Sequence, residues 1–329
     1  MSILLEVDDI SVSFSPPGRA PLAAVRGVSF GLKRGETLGI VGESGSGKSV
    51  TALSLLRLID PPGAIDGGKV ILDGVDLMTR SERDMRAVRG GRIAWIPQDP
   101  LTSLNPVLTI GAQMIETLST HRSLSAKDAA RDAAKWLARV HIPGASDRLR
   151  QYPHQLSGGM RQRVMIAMAF ALEPEVLIAD EPTTALDMTV QAQILDLMDE
   201  LKAEFGTAVI LITHDLGIVA ERADRVAVMY GGQIVETAAS AELFSSPQHP
   251  YTQALLASLP DISRPRTGQP LVFLEGQPPR IPVGSKPSCA FAERCDRRFA
   301  ACTETEPALL ARGRDGSAVR CLLYAENVN

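Results

Sequence analysis

The hydrophobic positions near the start of the chain form short runs that are typical of β-strands. The first three runs are Leu4–Val7, Ser11–Phe14 and Val28–Leu32. A fourth run, Thr37–Val41, enters a glycine-rich loop, and Val50–Leu58 then has a helical pattern. These patterns predict an N-terminal antiparallel β subdomain, followed by a strand, a loop and a helix in that order.

The middle of the chain alternates helical patterns with short apolar runs. A helical subdomain is expected over about 105–170, and its clearest helix is the alanine-rich segment Ser125–Val140. Val176–Ala179 and Ala208–Thr213 are fully apolar and flank a helical segment, Val190–Lys202. Short apolar strands that alternate with helices predict an α/β fold with a parallel-sheet core.

The residue pattern of the sequence changes after about Pro260, where prolines recur and the hydrophobic periodicity is lost. We therefore expect one large domain over 1–260 and an irregular extension over 261–329. All four cysteines lie in that extension, at Cys289, Cys295, Cys302 and Cys321.

Composition and charge favour a soluble globular protein. Of the 329 residues, 45% are hydrophobic and 22% charged, and the net charge of −4 gives no basic excess for binding nucleic acid. No run reaches the roughly 18 consecutive apolar residues that would span a bilayer, and the start lacks a signal-peptide pattern. We expect a cytoplasmic chain that reaches a membrane only through a partner.

The glycine-rich loop fits the pattern G-x-x-x-x-G-K-[ST], which cradles phosphate groups. Its backbone N–H groups and the following helix N-terminus favour a bound anion. Lys48 is expected to reach the β- and γ-phosphates, and the Ser49 hydroxyl to bind Mg²⁺. The other loop residues predicted to bind nucleotide are Gly42, Ser44, Gly45, Ser46 and Gly47.

Two carboxylates end the apolar strand at Val176. Asp180 is placed to hold Mg²⁺, and Glu181 to orient or deprotonate a water molecule. A solvated acidic strand end is the ordinary alternative for this pattern. Its pairing with a phosphate loop favours the interpretation as part of a nucleotide site.

A second candidate anion site opens a helix at Ser157, Gly158 and Gly159. Serine is a good N-cap, but glycine within the first turn costs about 1 kcal/mol against alanine. That cost indicates a backbone that lies close to something else. An ordinary cap is the alternative.

Three isolated side chains complete the set of candidates. Gln98 and His214 each follow an apolar strand, at the edge where ligands of open α/β sheets bind. Phe14 is placed to stack on an adenine ring. Taken singly, Gln98 and His214 are more typical of structural side chains with satisfied hydrogen bonds, and Phe14 is more typical of a core residue.

Together and in this order, the motifs over residues 1–245 resemble those of the ABC (ATP-binding cassette) ATPase family. The resemblance implies that 42–49 is the Walker A loop and that Gln98 is the Q-loop glutamine. It implies that 156–162 is the signature, with Met160 replacing the usual glutamine, and that Asp180 and Glu181 form Walker B and the catalytic glutamate. It also implies an aromatic adenine contact at Phe14, a D-loop at 185–187 and a switch histidine at His214.

The family resemblance implies partners as well as chemistry. ATP bound at Lys48 is covered by the signature serine of a second cassette, so another chain must supply that cassette. Residues 99–106, 152–155 and 249–252 are similar to the oligopeptide/dipeptide importer branch. That branch implies a paralogous ATPase subunit, two permeases, a substrate-binding protein and a position at the cytoplasmic face of the bacterial inner membrane.

The cysteine cluster leaves three interpretations open. The spacings are wider than the knuckles usual for structural Zn²⁺, and four thiolates suit a [4Fe–4S] cluster, which the branch resemblance also implies. Zn²⁺ and four free thiols remain the alternatives.

Alternatives also remain open for the transported solute and for the class of function. We expect a di- or oligopeptide as the solute, and because nickel importers share the branch, nickel or another small solute of the branch is the alternative. A soluble ABC protein acting on ribosomes or DNA is the other class, although the chain lacks the second cassette or long insertion usual there.

Overall fold

The structure is a computed structural model that describes residues 2–99, 103–258, 274–312 and 316–325. Its strands are β1 Ile3–Phe14, β2 Leu22–Lys33, β3 Thr37–Val41, β4 Gly63–Leu72, β5 Val75–Asp76, β6 Ile93–Ile96, β7 Val176–Asp180, β8 Ala208–Ile212, β9 Arg225–Tyr230, β10 Gln233–Ala239, β11 Ile281–Pro282, β12 Leu310–Ala311 and β13 Ala318–Val319. Its helices are α1 Lys48–Leu55, α2 Glu82–Val88, α3 Ile110–His121, α4 Ala126–Arg139, α5 Ala145–Arg148, α6 Gly158–Phe170, α7 Met188–Phe205, α8 Leu216–Arg222, α9 Ser240–Ser245 and α10 Pro250–Ala257.

Contacts divide the chain into two compact units, each built from several segments. The first unit consists of Met1–Leu4, Leu32–Glu36 and Asp76–Ile212. The second unit consists of Leu5–Gly31, Thr37–Val75 and Thr213–Asn329. None of the helices within the described ranges is long and apolar enough to cross a membrane.

The first unit is organised around three parallel strands. β6 pairs with β7, and β7 pairs with β8, in both cases parallel. Every residue of β7 and β8 is buried, which explains why both read as uninterrupted apolar runs. Aromatic contacts link helices α4, α6 and α7. The ring centroid of Phe205 lies 5.8 Å from that of Trp136 and 6.3 Å from that of Phe170.

The second unit holds two sheets. In one, β3 is parallel to β9, β9 is antiparallel to β10, and β13 and β12 from the extension follow antiparallel. The other has the order β11-β2-β1-β4-β5, with β1 antiparallel to β4 and β11 antiparallel to β2. The extension therefore contributes an edge strand to both sheets of this unit.

The structure corrects one predicted element and gives the internal division of another. The runs Leu4–Val7 and Ser11–Phe14 belong to the single strand β1, which continues through a bulge because Asp9 adopts a positive φ of 53°. The helical subdomain expected over about 105–170 is divided into the separate helices α3, α4, α5 and α6, with His141 (φ 59°) and Gly144 (φ 65°) in the connections. The predicted boundary at residue 260 lies outside the described residues.

Candidate functional site

The phosphate-loop motif lies between β3 and α1 in the second unit, which is the predicted order of strand, loop and helix. Gly42 and Gly47 have φ angles of 151° and 102°. A Cβ atom would lie 2.2 Å from the Met229 carbonyl oxygen at Gly42 and 2.6 Å from the Ala24 carbonyl oxygen at Gly47. Both positions therefore require glycine, on conformational and on steric grounds.

The loop side chains point to an anionic ligand. Lys48 is buried, and its Nζ donates to the carbonyl oxygens of Gly42 (2.8 Å) and Glu43 (3.0 Å). The Ser46 hydroxyl is fully buried with no hydrogen-bond partner among the described residues. No side chain caps α1, so its first-turn N–H groups are left for a ligand or solvent. A buried cation beside uncapped amides suits phosphate oxygens.

In the first unit, sheet register brings Gln98 and Glu181 together. Ile96 lies opposite Ala179 in the parallel pair of β6 and β7, so the residues two positions later meet at the carboxyl edge. Gln98 Nε2 donates to Glu181 Oε2 at 2.9 Å, and Thr184 Oγ1 donates to the same oxygen at 2.9 Å. Thr184 was missed by the sequence analysis; its position three residues after Glu181 was the available signal.

The backbone at this edge is also unusual. Glu181 adopts a positive φ of 48°, although it carries a side chain. Its N–H donates to the Ile212 carbonyl oxygen at 2.8 Å, which holds the turn in place. Residues held in sparsely populated conformations are concentrated at functional sites, where the surrounding structure fixes their orientation. Asp180, one residue earlier, is buried at the strand end.

The signature segment presents an exposed helix N-terminus. Ser157 is the N-cap of α6, and its hydroxyl accepts a hydrogen bond from the Met160 N–H at 3.3 Å. The two glycines differ in their surroundings: a Cβ at Gly159 would lie 2.8 Å from Val190 Cγ1, whereas at Gly158 it would have ordinary contact with Leu186 at 3.6 Å. Packing therefore explains Gly159, while Ser157 and Gly158 are exposed and accessible to a partner.

His214 and Phe14 both lie in the second unit. Thr213 donates its N–H to the Ile40 carbonyl oxygen of β3 at 3.3 Å, which places the exposed His214 just beyond that strand. Phe14 ends β1 opposite Gly63 and is half-buried. A Cβ at Gly63 would lie 2.6 Å from the Phe14 ring, so the ring packs closely over that glycine.

The four cysteines carry free thiols and lie near one another in the extension. Cys289 donates its N–H to the Cys302 carbonyl oxygen at 2.9 Å. Burial, and secondarily the neighbouring Cys302, Cys321 and Cys295, raise the pKa of the Cys289 thiol to about 11. Burial likewise raises the pKa of Cys295 and of Cys321.

This arrangement does not support the predicted metal site. Cys302 packs as an apolar side chain with Ala292 and Leu322. Within the described ranges, no group of three or more His, Cys, Asp or Glu side chains is arranged to hold a metal ion. Neither the [4Fe–4S] cluster nor the Zn²⁺ alternative is supported, and we assign no chemical step to either.

Residues 249–252, which carry part of the branch resemblance, have a structural role next to the phosphate loop. His249 is buried, and its Nδ1 accepts the Tyr251 N–H at 3.0 Å as the N-cap of α10. The Tyr251 hydroxyl, from a fully buried side chain, accepts the Glu43 N–H at 2.9 Å. Burial lowers the pKa of His249 to about 4, so the imidazole is neutral in the folded protein at physiological pH.

Because the pKa of His249 is lowered in the folded protein, we expect the free energy of unfolding to decrease when the pH drops below the ordinary histidine pKa. His249 takes up a proton near pH 6.5 when unfolded and only near pH 4 when folded. Unfolding therefore takes up a proton in this window, and the free energy of unfolding decreases as the pH drops through it. Between pH 7.5 and pH 5, we expect His249 to account for a loss of about 2 kcal/mol.

Urea unfolding at both pH values, for the wild type and His249→Asn, measures this loss. Asparagine keeps an N-cap acceptor but cannot take up the proton. The variant should lose less stability than the wild type between the two pH values. Equal losses would show that His249 does not titrate as described.

An ABC transporter family model matches residues 25–184, and a model of the oligopeptide/dipeptide transporter C-terminal region matches residues 235–302. The dipeptide transport ATP-binding protein DppD of Bacillus subtilis is 48% identical over 98% of this chain and 95% of its own length. A putative peptide import ATP-binding protein of Brucella abortus is 50% identical over 97% of this chain and 94% of its own length.

Solved structures give the same fold. A dimeric ATP-binding cassette in a post-hydrolysis state, bound to ADP and phosphate, superposes with a TM-score of 0.64 at 25% identity. The match covers 72% of this chain and 98% of that one. The cbiO1 protein of Clostridium perfringens, part of an ABC transporter complex, superposes with a TM-score of 0.62 at 26% identity, over 75% of this chain and 92% of that one.

Proposed function

The chain belongs to the ABC transporter ATP-binding subunits of the oligopeptide/dipeptide branch, and on this premise we propose that its ATP hydrolysis drives peptide import through a membrane permease. The observation that carries the proposal is the near full-length similarity, at 48–50% identity, to dipeptide and peptide transport ATP-binding proteins. The match of residues 235–302 to the oligopeptide/dipeptide C-terminal region supports the choice of branch.

The chemistry begins at the phosphate loop. The loop amides and Lys48 bind the β- and γ-phosphates, and binding replaces the contacts that Lys48 makes with two loop carbonyl oxygens. Three side chains have the oxygen donors that suit Mg²⁺, since this ion prefers hydroxyl, amide and carboxylate oxygens as ligands. Ser49, Gln98 and Asp180 would supply them, and the ion would neutralise charge on the phosphates.

Glu181 is the proposed general base for the attacking water. Hydrogen bonds from Gln98 and Thr184 to one carboxylate oxygen fix the orientation of the group before substrate arrives. A preorganised base accelerates proton transfer because no reorganisation is needed in the transition state. His214 is proposed to stabilise the γ-phosphate, and Phe14 to contact the adenine.

A second cassette is proposed to complete the site. The exposed N-cap Ser157 would cover the nucleotide bound by the partner, and the partner's signature would cover the nucleotide on Lys48. The exposed apolar side chain of Met188, 87% accessible next to the predicted D-loop, is consistent with a protein contact there. A paralogous subunit, two permeases and a substrate-binding protein complete the proposed importer at the cytoplasmic face of the membrane.

An exposed apolar patch on the first unit is a candidate contact for the permease. Val107 is 76% exposed, and Leu108 and Tyr152 are also exposed. Charge at such a position opposes docking, because the charge would be buried without a partner. We expect Val107→Glu to weaken association with the permeases by about tenfold or more without changing ATP binding.

Co-purification of the permeases with a tagged subunit measures this association. Val283→Glu is the matched control, since Val283 is 54% exposed and lies in the second unit. Equal recovery of permeases with wild type and Val107→Glu would remove the patch from the proposed interface.

Uptake by proteoliposomes tests the cargo. The subunit, its cassette partner, the permeases and the binding protein would be reconstituted with internal ATP, and uptake of a labelled dipeptide compared with uptake of Ni²⁺. We expect ATP-dependent accumulation of the peptide and not of the metal ion. The reverse result would assign the nickel alternative, and accumulation of neither would contradict the proposed function.

A further inference from the structure

Glu43, the second residue of the phosphate loop, is held by the C-terminal extension. Its carboxylate accepts two hydrogen bonds from Arg294, from Nη1 to Oε2 at 2.9 Å and from Nη2 to Oε1 at 3.2 Å. The side chain of Arg294 is 8% exposed and that of Glu43 is 23% exposed, so this is a largely buried, bidentate ion pair. The two residues are 251 positions apart in the chain.

The guanidinium group of Arg294 makes further hydrogen bonds besides the ion pair. Besides the pair with Glu43, Nη1 donates to the Tyr230 hydroxyl at 3.1 Å, Nη2 to the Leu274 carbonyl oxygen at 3.2 Å and Nε to the Glu275 carbonyl oxygen at 2.8 Å. These contacts use all five N–H donors of the guanidinium group. A lysine offers only three donors and no planar fork, so the position is specific for arginine.

Aromatic rings and hydrogen bonds surround the pair. Phe291, three residues before Arg294, packs edge-on against the rings of Tyr230 and Tyr251, with centroids 5.2 and 5.5 Å away. Tyr251 accepts the Glu43 N–H through its hydroxyl, and the Glu43 carbonyl oxygen accepts from Lys48. Side chain, N–H and carbonyl of Glu43 are thus all fixed, two of them by residues after position 245.

The ion pair has an electrostatic consequence for a polyphosphate ligand. A carboxylate in the phosphate loop repels the negative charge of ATP, and at partial burial this repulsion is only weakly screened. Arg294 neutralises that carboxylate and holds it by both oxygens. Without Arg294, the loop would carry an uncompensated negative charge next to its phosphate-binding amides.

We infer that Arg294 is a positioning residue for nucleotide binding, through which the C-terminal extension sets the affinity of the phosphate loop for ATP. The extension then has a role within the ATPase site, in addition to its edge strands. The inference rests on the proposed function of 42–49 as the ATP loop. It assigns a purpose to Glu43, which the motif pattern leaves unspecified.

Equilibrium binding of a fluorescent ATP analogue to the full-length chain, with Mg²⁺ present, tests the inference. We expect Arg294→Gln to raise Kd by about tenfold, from the uncompensated charge of Glu43. The double variant Glu43→Gln/Arg294→Gln should bind more tightly than Arg294→Gln, because the repelling carboxylate is gone. A merely structural role for Arg294 would not give this rescue.

Arg297→Gln is the matched control. Arg297 lies in the same segment but donates to Gln253 Oε1 at 2.7 Å rather than to Glu43, so its loss should leave Kd unchanged. In the assembled complex, kcat at saturating ATP should change less than twofold in Arg294→Gln, while KM rises. If Arg294→Gln does not fold, its comparison is made with Arg294→Lys, for which a smaller rise in Kd and the same rescue are expected.

Three results would overturn the inference: a wild-type Kd in Arg294→Gln, an equal rise in Arg297→Gln, or no rescue in the double variant. Failure of the wild-type chain itself to bind the analogue would instead contradict the proposed function of the loop. The two failures are therefore distinguishable within one set of titrations.

Discussion

Replacing Glu181 by glutamine should abolish ATP turnover and leave ATP binding intact. Glutamine preserves the size of the side chain and can still accept a hydrogen bond, but it cannot take a proton from the attacking water. Since general-base catalysis contributes about 10²- to 10⁴-fold, kcat should fall by that factor. The amide oxygen of glutamine can still accept the hydrogen bonds from Gln98 and Thr184 at the strand edge.

Phosphate release by the assembled complex measures turnover, and a fluorescent nucleotide measures binding. Glu200→Gln is the control, because Glu200 is exposed on α7 and has the same charge change. Turnover at the wild-type rate in Glu181→Gln would exclude Glu181 as the general base.

Replacing Lys48 by alanine should act at the binding step instead. Lys48 is buried in the loop and is the cation that we propose to contact the phosphates. A charge-assisted hydrogen bond is worth about 1.5–3 kcal/mol, so Kd for ATP should rise by roughly 10- to 100-fold. Turnover falls as a consequence, because little nucleotide is bound.

Titration with the fluorescent nucleotide measures this loss, and Lys69→Ala is its control. Lys69 is an exposed lysine of β4 in the same unit, so its removal changes the net charge equally. A Kd for Lys48→Ala within twofold of the wild-type value would contradict the assignment of the phosphate loop.

The sequence predicted those parts of the fold that depend on short segments. The runs that became β3, β7 and β8 are apolar because they are buried throughout, and this is visible without tertiary information. The single strand β1 was misread as two, since its exposed residues Asp8 and Asp9 look like a turn. The bulge that carries the strand past them depends on pairing with β4.

The motifs of the candidate site could also be predicted from short segments of sequence. The contacts between residues far apart in the chain could not be predicted in this way. Strand, loop and helix around Lys48 follow from local pattern, and the edge position of Gln98 and Glu181 follows from parallel strands. The ion pair of Glu43 and Arg294 joins positions that no periodicity relates. The cysteine prediction came from residue types and spacing, which carry no information on how the thiols pack.

The most direct test of the account couples hydrolysis to transport in one preparation. Proteoliposomes containing the complete complex, with wild-type subunit or Glu181→Gln, would be assayed for phosphate release and for uptake of a labelled dipeptide. We predict that the wild type shows both activities and that Glu181→Gln, assembled in equal amount, shows neither. Uptake that continues in the Glu181→Gln vesicles would contradict the claim that ATP hydrolysis at this site drives import.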